Sequence, residues 1–246
     1  MTDAPLHIRA TAPLADRVLL PGDPGRALAL AQALLHEPKM FNHHRGLWGY
    51  TGAAPDGAAL TIQSTGMGGP SAAIVFEELI DLGVTAAVRV GTCGALDGAL
   101  RLGDLVLAGE AIAADGTSRA LGCEGRVRGD DTLTAALAAA HAERAGASAL
   151  HAGLVVSTDL FYDPDPRRSD AWTRDGAIAV EMECAALFAI AARRGVAASC
   201  VLAVSDRWGE SGERERIDDE ILLAAAQAMG AVAIAALSAG APSAAS

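Results

Sequence analysis

Arg17-Val18-Leu19-Leu20-Pro21-Gly22-Asp23-Pro24-Gly25-Arg26 is an apolar run that ends in a glycine-proline turn and passes at once into helix-forming sequence. Short runs that are apolar at consecutive positions and bounded by turn residues read as strands buried on both faces. The spacing predicts a strand over Arg17 to Leu20 and a helix over Arg26 to Leu35. Outward from this unit the alternation recurs. Strands are expected at Leu60 to Ser64, Ala86 to Val90, Asp104 to Leu107, Gly153 to Ser157, Ala177 to Met182 and Cys200 to Ser205. Helices are expected at Ser71 to Leu82, Leu133 to Arg144, Glu183 to Arg194 and Asp218 to Leu237. Such alternation describes an α/β protein with a central mixed, mainly parallel sheet flanked by helices. No repeat, Ser-rich linker or long charge run divides the chain, so a single domain over 1–246 is expected, with about the last eight residues as a frayed tail.

With 246 residues, 51% of them hydrophobic, the chain can bury a substantial core. Its net charge of −11 argues against nucleic acid or an anionic membrane as partner, since both need a basic face. Cys93, Cys123, Cys184 and Cys200 show no C-x-x-C pairing and the histidines no H-E-x-x-H, so neither a disulfide framework nor a metal site is expected. Met1-Thr2-Asp3-Ala4-Pro5 lacks a basic start before an apolar region, which excludes a secretory signal from the reading and leaves reduced thiols in a cytoplasmic protein. From Ile221 onward there is no charge, yet Ala, Gly and Ser dominate and no Lys or Arg flanks the stretch. A small-residue helix packed on the body is expected there rather than a membrane span.

Three strand ends carry glycine-rich turns. At Gly22 to Arg26, glycine permits close backbone approach, amides at a helix start favour an anion, and Arg26 offers two hydrogen bonds to phosphate oxygens. At Ser64-Thr65-Gly66-Met67-Gly68-Gly69-Pro70-Ser71 the glycines miss the dinucleotide spacing, because Ser71 stands where the third Gly or Ala belongs and no acidic residue follows about 20 positions on. A third loop is expected at Val88-Arg89-Val90-Gly91-Thr92-Cys93-Gly94-Ala95. Arg89, a cation inside an apolar run, requires an anionic partner, either a bound anion or an internal Asp or Glu. Carboxylates stand in two further runs. Val180-Glu181-Met182-Glu183 sets two acids among apolar residues, where a carboxylate can accept both hydrogen bonds of a cis-diol. Helix-start chemistry accounts for Glu183 equally well but leaves Glu181 unexplained. Asp206, at the end of Cys200-Val201-Leu202-Ala203-Val204-Ser205, is a candidate general acid, or else a cap.

The order G-D-P-x-R, T-G-M-G-x-P-S, R-V-G-T-C-G-A, Leu160-Phe161-Tyr162, V-E-M-E-x-A and V-S-D resembles the nucleoside phosphorylase family that includes the bacterial hexameric purine enzymes and uridine phosphorylase. The resemblance runs from about His7 to Arg214 and implies phosphorolysis of purine nucleosides to free base and sugar 1-phosphate, with inorganic phosphate as co-substrate and no cofactor. It implies phosphate on Gly22, Arg26, Arg89 and Thr92, with Arg45 from a neighbouring subunit. Ribose would be held by Met67, Met182 and Glu183 with the neighbour's His7, and the base by Cys93, Gly94, Phe161, Val180 and Glu181. Asp206 would protonate the leaving purine, assisted by Arg214, with Arg207 and Arg216 as competitors for that role. The assembly implied is a hexamer, a trimer of dimers. Uridine phosphorylase is the alternative. Its relatives read the pyrimidine with a Gln and an Arg after the Phe-Tyr pair, and here Asp165 stands at the Gln position while Arg167 matches the Arg. Nucleosidases share V-E-M-E and S-D but need no phosphate-binding arginines. A non-catalytic nucleoside-binding protein would lack part of the set formed by Arg26, Arg89, Glu183 and Asp206.

Overall fold

The computed structural model describes residues 5–144, 148–209 and 213–239. The first expected unit forms as β1 (Arg17–Leu20) and α1 (Pro24–Leu34). The helix starts two residues early because Asp23 is its N-cap, its carboxylate accepting from the Arg26 amide at 2.7 Å, and Pro24 fits the first turn where no N–H is needed. A polar hairpin follows that the apolar runs did not announce: β2 (His36–Asn42), a 3₁₀ turn at His44–Gly46, and β3 (Gly49–Ala53). Then come β4 (Ala59–Gln63), α2 (Gly69–Asp81), β5 (Ala86–Ala95) and β6 (Leu105–Ala113). Short elements α3 (Gly116–Ala120) and β7 (Arg126–Arg128) lead to α4 (Asp131–Ala142), β8 (Leu150–Ser157) and the polar α5 (Arg167–Arg174). The chain continues through β9 (Ala177–Glu181), α6 (Cys184–Arg194), β10 (Ala197–Trp208), β11 (Arg214–Arg216) and α7 (Asp219–Ala239). From residue 240 the expected frayed tail lies outside the described residues.

Parallel ladders make two blocks, β4–β1–β5–β10 and β6–β8–β9. Antiparallel seams join them at both sides, β10 to β6 and β9 to β5, so this part of the mixed sheet closes into a ring. The remaining antiparallel ladders add β3 and β2 beyond β4, β7 on β6, and β11 on β10. Alternation along β1 explains its continuous hydrophobicity: Val18 and Leu20 enter a core with α2 and α6, whereas Leu19 enters another with α1, α4 and α7. The segment without charge forms α7, packed on α1, α4 and β10, with Ala225, Met229, Val232 and Ala236 buried. It is long and apolar enough to cross a membrane by composition alone, but half of that window is buried in the body. Arg17 ties the layers together, its guanidinium bidentate on Asp56 at 2.6 and 2.7 Å and touching Ser238 of α7.

One expectation is corrected here. The loop expected over Gly91 to Ala95 is the second half of β5, held by parallel pairing with β10 from Ala86 through Gly94. The glycines clear space rather than turn the chain. A Cβ at Gly91 would lie 3.0 Å from Arg89 Cζ and 2.9 Å from Leu202, so only glycine lets the Arg89 side chain fold back along its own strand.

Candidate active site

Arg89 lies on β5, 5% exposed, and its Nη2 donates to Glu183 Oε2 in a very short contact, while Nε stands 3.6 Å from Glu181. Its Nε and Nη1 are buried without a hydrogen-bond partner among the described residues. Burial alone would lower the guanidinium's pKa, but Glu183 and then Glu181 raise it above the ordinary value, so the charge persists. Glu183 is also tied to the second glycine loop, its Oε1 accepting from the Gly68 amide at 2.6 Å. The first loop adjoins: Gly66 N donates to Gly22 O at 3.0 Å, and a Cβ on Gly22 would stand 4.0 Å from Arg89 Nη2. Half-buried Arg26 borders the same space. Burial lowers its pKa and so does Arg89, against the attraction of Asp23 and Glu183. Its guanidinium has no hydrogen bond or ion pair to any described residue. Two cations placed within reach of each other, one without a partner, describe a seat for an anion.

Glu181 and Glu183 diverge as the strand turns into α6, and the helix-start chemistry left open for Glu183 falls to Glu181 instead. Glu181 takes the helix-start position: its carboxylate accepts from the amides of Glu183 at 2.7 Å and Cys184 at 2.9 Å and from the Ser157 hydroxyl. Burial, and then the neighbouring Glu183, raise the pKa of Glu181, against the pull of Arg89 and Ser157. With its oxygens so engaged, Glu181 orients the turn. Glu183, which caps nothing with its side chain, is the acid aimed at Arg89.

At the other end Asp206 lies in the last part of β10, two residues before its end at Trp208. Its Oδ1 accepts from Arg214 Nε at 2.9 Å and Nη2 at 2.5 Å, and its Oδ2 from Ser205 Oγ at 2.9 Å. Of the three competing arginines, Arg207 pairs with Glu215, Arg216 has no side-chain bond to a described residue, and Arg214 engages Asp206. Arg214 also stacks on Phe161, 4.4 Å from the ring centroid, so one face of the expected base platform carries a cation. A Cβ on Gly94 would lie 3.2 Å from Asp206 Oδ1 and 3.3 Å from Val180, which places all three around one space. Cys93 does not share it through its side chain. Its buried Sγ faces the Ala203 carbonyl at 3.7 Å, and burial raises the thiol pKa. Thr92 stands half-buried beside Ala203 on the same strand pair.

Met67, 86% exposed, and Met182 line an open groove with Pro70, Ile74, Thr117 and Leu121, next to the Gly68–Glu183 contact. Arg45 and His7 reach none of these residues. Arg45 is exposed at φ 58° in the 3₁₀ turn, and His7 Nδ1 lies 2.6 Å from Glu78 of α2. Arg167 is occupied by Asp165, at 2.9 and 3.1 Å. Ser157 and Ser205 are the partners that residue patterns missed. Ser157 ends β8 and Ser205 lies within β10, each with its hydroxyl on an acid, a signal visible only once the strands are placed.

Residues 16–239 match the model of the Phosphorylase superfamily. The "Purine nucleoside phosphorylase DeoD-type" of Geobacillus kaustophilus is 40% identical over 210 residues, covering 82% of this chain and 85% of that protein. Proteins of the same name from Caldanaerobacter subterraneus and a Jannaschia species are 38% and 37% identical, each over 82% of this chain and over 87% and 86% of their own lengths. With strand-end loops, paired arginines and acids falling inside the matched span, the chain belongs to the phosphorylase superfamily.

Proposed function

We propose that this protein is a purine nucleoside phosphorylase, a pentosyltransferase that splits purine ribo- or deoxyribonucleosides with inorganic phosphate. The observation that carries the proposal is the partner-free Arg26 beside Arg89 at one end of a site whose other end holds Asp206. Phosphate sits on Gly22, Arg26, Arg89 and Thr92. It takes Arg89 partly from Glu183, which frees that carboxylate for the sugar hydroxyls, with Met67 and Met182 against the ribose. The base lies between Gly94, Val180 and Phe161. As the N9–C1′ bond breaks, phosphate beneath C1′ meets the developing ribosyl cation and Asp206 protonates N7 of the leaving purine. Holding both reactants makes the step effectively unimolecular. Phosphate is the nucleophile and a carboxyl the acid, so the chemistry calls for no metal or organic cofactor.

The catalytic unit in this proposal is a cytoplasmic homo-oligomer, a hexamer built as a trimer of dimers, in which His7 and Arg45 complete the neighbour's site. The outward Arg45 and the anchoring of His7 by Glu78 support that arrangement. The purine assignment is supported by the names of the relatives and by the Asp165–Arg167 pair, which occupies the guanidinium a pyrimidine reader would use. The test is release of free base from inosine, adenosine, uridine and methylthioadenosine with and without phosphate. Purine release that requires phosphate is expected. Phosphate-dependent cleavage of uridine alone, or cleavage indifferent to phosphate, would replace the proposal with a uridine phosphorylase or a nucleosidase.

A further inference from the structure

The two oxygens of Asp206 have different partners. Arg214 places Nε and Nη2 on Oδ1, whereas Oδ2 has Ser205 Oγ at 2.9 Å. That hydroxyl also lies 3.2 Å from the carbonyl oxygen of Cys93. A hydroxyl carries one proton and gives it to one acceptor at a time. Consecutive residues of a regular strand point to opposite faces, so Ser205 should not reach its neighbour's side chain. It does so because β10 bulges there. Val204 stands opposite Cys93 and Asp206 opposite Gly94, leaving Ser205 as the extra residue. Ser205 and Asp206 are 7% and 8% exposed, so a charge left on Oδ2 finds little water.

We infer that Ser205 is a positioning residue for the acid step, its hydroxyl turning from the Cys93 carbonyl to Asp206 Oδ2 as the acid gives up its proton. The inference rests on the phosphorolysis proposed above. With two guanidinium N–H groups on Oδ1, the transferable proton belongs on Oδ2, and Ser205 keeps its own hydrogen on the Cys93 carbonyl. As the N9–C1′ bond breaks, its electron pair passes to the purine, a phosphate oxygen bonds to C1′, and the Asp206 proton moves to N7. Ser205 then donates to the new carboxylate, and a proton from solvent resets the acid after the base departs.

The experiment compares inosine with 7-methylinosine, whose base already carries a substituent and positive charge on its imidazole ring and leaves without needing a proton. Ser205→Ala is expected to lower kcat on inosine about ten- to a hundredfold, the worth of one hydrogen bond to a charged group, with KM within about twofold. On 7-methylinosine it should match the wild type, and Ser205→Thr, which restores a hydroxyl, should recover most of the loss. Ser205→Cys, close in volume but a weak donor, should fall between them and stands in if the alanine variant melts early. Equal losses on both substrates in the alanine or cysteine variant, or an unchanged kcat on inosine, would overturn the role of Ser205 alone. A wild type that ignores phosphate would overturn the phosphorolysis proposal, and this inference with it.

Discussion

Glu183 is the residue on which stability and chemistry meet. Its carboxylate neutralises buried Arg89, so Glu183→Ala should do more than weaken sugar handling. Removing one partner of a buried pair costs about 3–5 kcal/mol when the other charge is left without compensation, and here Glu181, 3.6 Å from Arg89 Nε, offsets part of that loss. Phosphate would take over as counter-ion. Thermal melts should therefore show a large loss in Glu183→Ala that saturating phosphate partly reverses, and phosphate should raise the variant's midpoint more than the wild type's, in line with ligand linkage. A variant whose melting ignores phosphate would take Arg89 out of the anion site. At this scale Arg89 was legible, since a cation within Val88-Arg89-Val90 has to be answered by an anion. Which acid answers it was not, because the turn after β9 sends Glu181 to the helix amides and Glu183 to the arginine.

Among elements, β1 shows how a packing contact becomes a pH response. The Arg17 guanidinium holds the Asp56 carboxyl well below the usual carboxylate range against its partial burial, with help from the Ser238 hydroxyl and the Ala58 amide. An acid whose pKa falls on folding binds fewer protons folded than unfolded. Its stabilisation is complete above the unfolded value of about 4 and is lost as the pH drops below it. Asp56→Asn should lower the denaturant midpoint at neutral pH and flatten its decline between about pH 5 and about pH 2. Equal slopes in the two proteins would remove this pair from the acid response. The strand itself was read to the residue, Arg17–Leu20, because both its faces are buried and its ends are marked by turn residues. Hairpin β2–β3 and helix α5 escaped notice for the opposite reason. β2 is mostly exposed and α5 buries no residue, so neither needs a hydrophobic period.

For the whole molecule the decisive question is whether a site draws on two chains. If His7 and Arg45 serve a neighbour, a subunit carrying Asp206→Asn still lends intact arms, and one carrying His7→Ala still has an intact body. Alone, Asp206→Asn should be nearly inactive, since losing a general acid costs about a hundred- to ten-thousandfold, and His7→Ala should be impaired through its lost sugar contact. Co-expressed, mixed pairs should regain up to about half of the wild-type activity, one sound site per pair of subunits. Activity no higher than the sum of the separate variants would confine each site to a single chain. The ring closure of the sheet belongs to the same scale. It brings β5, β9 and β10 together, and through them Gly94, Val180 and Asp206, although these residues stand far apart in sequence.

What the chain determines by itself is local: runs such as Arg17–Leu20 that must be buried on both faces, the glycine and proline that end them, and the side chains able to hold phosphate or give a proton. Burial and turn chemistry act over a few residues, and a linear pattern records them directly. Tertiary structure decided the rest. It carried the Gly91 region on as strand, assigned the helix amides to Glu181 and Arg89 to Glu183, and set Arg214 on Asp206 through a hairpin. Those outcomes depend on which strand pairs with which, and on the bulge at Ser205 that turns two consecutive side chains toward each other. A pairing register is a property of two distant segments, and neither holds it alone.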